Sequence, residues 1–138
     1  MSDKRKILFL CTGNSARSII SEVLANELGK GRIHAFSAGS KPTGKVNPDA
    51  IKVLIKHGHN AENIHSKSWD DFAGEKFDVV VTVCDNAAKK PCPFWPGAPE
   101  RIHWGIDDPA AAKGSESEKM AAFETAYKII RAKIETLL

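Results

Sequence analysis

The residues Cys11-Thr12-Gly13-Asn14-Ser15-Ala16-Arg17-Ser18 set a cysteine and an arginine with five residues between them, directly after the apolar run Ile7-Leu8-Phe9-Leu10. Ile20, Val23, Leu24 and Leu28 then recur at helical spacing, so the octet lies between a strand and a helix. A tight loop in that setting turns successive backbone N–H groups inward and makes a nest for an anion. The helix N-terminus adds its partial positive charge. Arg17 supplies a planar fork able to clamp two oxygens of a tetrahedral oxyanion. The same positive field favours the Cys11 thiolate, the form that attacks, and the Ser18 hydroxyl can donate to that thiolate. Gly13 and Asn14 are residue types that tolerate φ > 0, which such a loop is expected to need. The oxyanion-binding set is therefore Thr12, Gly13, Asn14, Ser15, Ala16, Arg17 and Ser18, with Cys11 as nucleophile. The plain alternative is a buried cysteine ending a strand and an arginine on a helix surface. Chance would put C-x5-R-[ST] on one of the three cysteines roughly 1% of the time.

Two other groups carry chemistry. Asp107-Asp108-Pro109 offers a carboxylic acid that can hold the proton a departing oxygen needs, although Asp-Asp-Pro also reads as a turn or a helix cap. Cys84 follows the run Val79 to Val83, and Cys92 lies eight residues on, with the polar stretch Asp85 to Pro91 between them. That spacing is wider than zinc ligands favour and no paired ligands stand elsewhere, so no metal is assigned. Lys89 and Lys90 are placed to lower the pKa of Cys92. The plain alternative makes Cys84 a core residue and Cys92 an incidental surface thiol. His57-Gly58-His59 reads as the turn that ends a helix rather than as a metal pair.

The elements that must position these residues alternate. Ile7 to Leu10 is a strand, followed by the helix that Gly29 and Gly31 end. His34 to Ala38 reads as a second strand. Asn47-Pro48-Asp49 starts a helix with a capping side chain, a proline at the first position and a carboxylate near the dipole's positive end. Ile51, Leu54 and Ile55 are expected on its buried face and Gly58 at its stop. Phe77 to Val83 and Arg101 to Trp104 read as the third and fourth strands. Ser115-Glu116-Ser117-Glu118 fits a capping box, behind which Met120, Phe123, Tyr127, Ile130, Ile134 and Leu137 step by three and four. Strands apolar on both faces that alternate with helices predict a three-layer α/β fold, a four-stranded parallel sheet with helices on both faces. Ligands of such sheets bind beyond the carboxyl ends of the strands, where the segments after Leu10, Val83 and Trp104 meet.

Composition narrows the classes further. The 138 residues suit one domain with one core, and 42% hydrophobic with 27% charged residues is an ordinary globular balance. A net charge of +3 without charge runs gives no case for nucleic acid, and no apolar stretch approaches a membrane span. Met1 to Lys6 leads into only four apolar residues before Cys11, too few for a signal-peptide core, so a cytoplasmic chain is expected. Three cysteines there suit thiols with a task better than a disulfide framework.

The loop Cys11 to Ser18 resembles that of the low-molecular-weight protein tyrosine phosphatases, most of all their arsenate reductase branch, whose loop reads CTGNS-x-RS. Phe36-Ser37-Ala38-Gly39, Val46-Asn47-Pro48, Val81-Thr82-Val83-Cys84 and His103-Trp104-Gly105 extend the resemblance over essentially the whole chain. It implies one catalytic domain over residues 1–138 and selects Asp108, directly before proline, as the general acid. It also implies a three-cysteine relay. Arsenate becomes bonded to Cys11, Cys84 attacks that sulfur and arsenite leaves, and Cys92 then attacks Cys84. The Cys84–Cys92 disulfide passes to thioredoxin, while glutaredoxin with glutathione, or mycothiol, serves some relatives. Some relatives hold a potassium ion beside the loop. Asn14, Glu22 and Ser37 match that pattern, but Ser68 stands where it has an aspartate, so neither metal nor cofactor is assigned.

The resemblance leaves tyrosine phosphatase action as the near alternative. Ala110-Ala111-Ala112 stands where those phosphatases carry aromatics that sandwich the substrate ring, which favours a small inorganic anion, arsenate or a phosphate-like oxyanion. A non-catalytic redox switch or anion-binding module is the alternative of another class, and it would not need both Arg17 and Asp108.

Overall fold

The computed structural model describes residues 5–11, 13–60, 64–72, 74–83, 100–106, 109 and 113–138. Strand β1 (Arg5–Cys11) is buried from Ile7 onward because it has a parallel neighbour on each side. Its neighbours are β2 (Ile33–Gly39) and β3 (Val79–Thr82), and β4 (Glu100–His103) lies beyond β3, giving the order β2-β1-β3-β4. All three pairings are parallel. The expectation of strands apolar on both faces fails for β4, where Glu100, Arg101 and His103 are exposed. An edge strand has one side open to water and needs no continuous apolar run. The third strand is also shorter than Phe77 to Val83. Asp78 instead turns the chain into it, accepting from the Lys6 N–H at 2.7 Å and donating its own N–H to the Lys6 carbonyl at 2.8 Å.

Side chains alternate across the sheet. One face carries Ile7 and Phe9, with the Phe9 ring 5.8 Å from that of Trp104. Helix α1 (Arg17–Leu28) covers this face, and Ile33 closes under Gly29 at its end. Asn26 pins the helix to β2 by holding both the N–H and the carbonyl of Ala35. On the opposite face Phe36 packs edge-on against Phe77 and against Phe72 of a 3-10 turn, Trp69–Phe72. Among the described residues, α1 thus lies over one face of the sheet and the 3-10 turn packs at β2 on the other.

Helix α2 (Pro48–Lys56) begins as expected: the Asn47 side chain accepts from the Asp49 N–H and Pro48 takes the first position. Its buried face is Ala50, Val53 and Leu54, whereas Ile55 is 61% exposed. Each residue turns about 100° around the axis, which carries Ile55 past the arc that those three define. Helix α3 (Glu116–Glu135) has the capping box at Ser115 and Glu118, and buries Phe123, Ala126, Tyr127, Ile130 and Ile134. Met120 and Leu137 are only half-buried, at its two ends.

Helix α3 packs on α1 and α2 through a junction built from the turn after α2. The His57 ring stacks on Tyr127 at 4.0 Å, and its Nε2 meets Glu124 at 2.9 Å. His59 contacts Glu27 of α1 through Nδ1 and the Tyr127 hydroxyl, 2.5 Å away, through Nε2. These partners fit a neutral ring that donates to the carboxylate and accepts from the phenol. Burial, then the nearby Arg131 charge, hold the His59 pKa below the usual imidazole value. The two histidines therefore join three helices, as residues of the turn that sequence suggested.

Candidate active site

Cys11 is the last residue of β1 and is buried; Arg17 is the first of α1. The loop between them is shaped by what binds its carbonyls. The Cys11 carbonyl accepts from the Ser40 N–H at 3.2 Å, that of Gly13 from the Thr43 N–H at 3.0 Å, and that of Ser15 from the Asn47 N–H at 2.8 Å. Three alternate carbonyls are thus drawn toward one strap, residues 40–47. Such outward anchoring suits the nest expected from sequence, with N–H groups on the inner side.

Asn14 is the pivot. It is fully buried with φ 47°, a left-handed conformation that asparagine tolerates better than most residues. Its Oδ1 accepts from the Lys67 N–H at 2.7 Å and its Nδ2 donates to Ser18 Oγ at 2.8 Å. Because Ser18 accepts there, its own proton is left for another acceptor. Gly13 departs from the expectation, since its φ is not in the left-handed region. Glycine is needed for space instead: a Cβ there would stand 3.2 Å from Thr43 Cγ2 of the strap.

Ala16 occupies the cap position of α1, where its methyl side chain makes no capping hydrogen bond. Serine, threonine, asparagine or aspartate there would usually contribute about 1 kcal/mol by binding the first N–H groups. Leaving the position uncapped keeps those donors for an anion. The Arg17 guanidinium donates to the Ile106 carbonyl at 2.8 Å, so the arginine is tied to the segment that leads toward Asp107 and Asp108. Ser18 is fully buried in the first turn.

Cys11, Gly13, Asn14, Ser15, Ala16, Arg17 and Ser18 are thus brought together at the carboxyl end of the central strand. Thr12, Cys84, Cys92 and Asp108 lie outside the described residues. Sequence reasoning missed the strap donors Ser40 and Thr43, and read Asn47 only as a helix cap. It also missed Ser66, whose Oγ donates to the Gly13 carbonyl at 3.1 Å, and Lys67. Backbone donors have no side-chain signature, so only the Asn47-Pro48 pair offered a signal. Among the described residues, no group of three or more His, Cys, Asp and Glu is gathered to hold a metal, and no helix is long and apolar enough to cross a membrane.

Residues 6–138 match the family described as low molecular weight phosphotyrosine protein phosphatase, and the chain belongs to that family. Within it, an arsenate reductase of Halalkalibacterium halodurans is 40% identical over 134 residues, covering 97% of this chain and 95% of that one. An arsenate reductase of Bacillus subtilis is 41% identical over 122 residues, 88% of this chain and 86% of that protein. A solved structure described as an arsenate reductase in the phosphate binding state aligns with a TM-score of 0.82 at 27% identity, covering 96% of this chain and 95% of its own.

Proposed function

We propose that this chain is an arsenate reductase in which Cys11 attacks the arsenic of a bound arsenate. The observation that carries the reading is the loop itself: a thiol at a strand end, Arg17 at a helix start, and three alternate carbonyls anchored outward between them. A loop so built suits a small tetrahedral anion, and the relatives at about 40% identity over nearly the whole chain are arsenate reductases.

The Cys11 thiolate forms an S–As bond as one As–OH group departs, its hydroxyl taking a proton from Asp108 and leaving as water. The Cys84 thiolate then attacks Cys11 Sγ. The S–As pair of electrons goes to arsenic, arsenite leaves, and a Cys11–Cys84 disulfide forms. Cys92 attacks Cys84, freeing the Cys11 thiolate and leaving Cys84–Cys92, which a dithiol reductant of the thioredoxin class returns to two thiols. Thr12, Gly13, Asn14, Ser15, Ala16, Arg17 and Ser18 hold the oxyanion, and residues 1–138 act as one catalytic domain in the reducing cytoplasm.

A single turnover tests this. Fully reduced protein is mixed with arsenate in the absence of external thiol, and arsenite and lost thiols are counted. About one arsenite and two lost thiols per chain is the expected result. Release of no arsenite would remove Cys84 and Cys92 from the relay.

A further inference from the structure

We propose that Lys67 is a positioning residue for the oxyanion loop, its backbone orienting Asn14 while its ammonium neutralises Glu22 beneath the anion site. The proposal rests on residues 11–18 being that site. Lys67 is held at both ends of its peptide: its N–H donates to Asn14 Oδ1 at 2.7 Å, and its carbonyl accepts from the Gly39 N–H at 2.8 Å. Ser66 beside it binds the Gly13 carbonyl and accepts from the Gly44 N–H at 3.1 Å, and Ser68 bridges to Gly39 in parallel fashion. Residues 66–68 therefore form a second strap across the loop, joined to the first.

From this fixed backbone the Lys67 ammonium reaches Glu22 Oε1 at 3.4 Å and the His65 carbonyl at 2.8 Å. Glu22 also accepts from the hydroxyl of Ser37, which is fully buried in β2. The two charged side chains are only about one-fifth exposed, at 21% and 18%. Glu22 is the sixth residue of α1, roughly 7.5 Å along the helix from its start at 1.5 Å per residue. A carboxylate at that depth offsets the positive field of the helix N-terminus and repels any anion or thiolate held there. Lys67 cancels it, so one residue sets the loop's shape and protects its field.

The electrostatic part is separable from the backbone part by substitution. At roughly 7.5 Å in a partly solvated setting, one uncompensated charge weakens anion binding by about 3- to 10-fold. Three readouts are needed: the calorimetric dissociation constant for inorganic phosphate, kcat and KM for arsenate, and the pH midpoint of Cys11 alkylation by iodoacetamide. Lys67→Met and Lys67→Gln should both weaken phosphate by about 3- to 10-fold. They should move the alkylation midpoint to higher pH and raise KM more than they lower kcat. Lys67→Arg should behave like the wild type. The double variant with Glu22→Gln and Lys67→Met should recover most of the loss, because no lone charge remains. Unchanged phosphate binding in both single variants would overturn the proposal, as would a double variant no better than Lys67→Met. A wild-type chain that binds no phosphate would instead remove the oxyanion-site reading beneath it.

Discussion

Arg17 makes a contact that its charge alone does not explain. One arm of its planar fork is spent on the Ile106 carbonyl, which ties the proposed anion clamp to the residue just before Asp107 and the proposed acid Asp108. Arg17→Lys keeps the charge but loses the fork and its geometry, so kcat/KM for arsenate should fall on the order of 100-fold while the urea midpoint stays close to wild type. Steady-state kinetics beside a denaturation curve checks both halves. Gly13 makes a complementary point about space. Gly13→Ala puts a methyl 3.2 Å from Thr43 Cγ2 and pushes the first strap away from the loop. The arsenate KM should rise about 3-fold, corresponding to roughly 0.6 kcal/mol, and adding Thr43→Ser should bring it back by removing the opposing methyl.

At the scale of elements, the junction of α1, α2 and α3 sets a pH dependence of stability. His59 faces Glu27 from α1 and Tyr127 and Arg131 from α3, while His57 and Lys56 face Glu124. The folded state holds the His59 proton less tightly than the free ring, whose pKa is 6.5. Below about 6.5 the unfolded chain therefore binds more protons, and stability falls as pH drops toward the folded value. Glu124 is held below the usual carboxylate range, first by the His57 hydrogen bond and then by Lys56. Its contribution is present above the unfolded carboxylate value of 4.5 and is lost as pH falls through the lower folded value. Urea midpoints should thus decline in two stages on acidification, and His59→Gln should flatten the first while leaving the second. A midpoint independent of pH between 7.5 and 5.5 would contradict the neutral His59 assigned to this junction.

At the scale of the whole molecule, β1 joins the core to the site: Ile7 to Leu10 are fully buried and Cys11 ends the same strand. Anion binding and folding are then linked. Inorganic phosphate at 100 times its dissociation constant should add about 2.7 kcal/mol to the unfolding free energy, read as a rise in melting temperature. At the same phosphate concentration Arg17→Lys should reduce that rise, by an amount that follows the logarithm of its lost affinity. Phe9→Ala, which removes the ring packed on Trp104 in the middle of the sheet, should cost about 3–5 kcal/mol.

Much of the fold and the loop of the candidate site were legible in the sequence because their determinants are local. The octet Cys11 to Ser18 is contiguous, the run Ile7 to Leu10 marks a strand with two neighbours, and the caps at Asn47 and Ser115 satisfy N–H groups within three residues. Local hydrogen-bond geometry and hydrophobic period are properties of short segments, so they survive reading one residue after another. The straps were not legible. Thr43, Ser66 and Lys67 meet Gly13 and Asn14 across 30 to 53 positions, through contacts that exist only once β1 and β2 have paired. The exposure of Ile55 and of β4 likewise depended on which neighbour each element found. The sequence by itself thus determined the candidate loop and the elements on either side of it. Tertiary structure alone decided what holds that loop open, because the donors that turn its carbonyls outward come from distant parts of the chain.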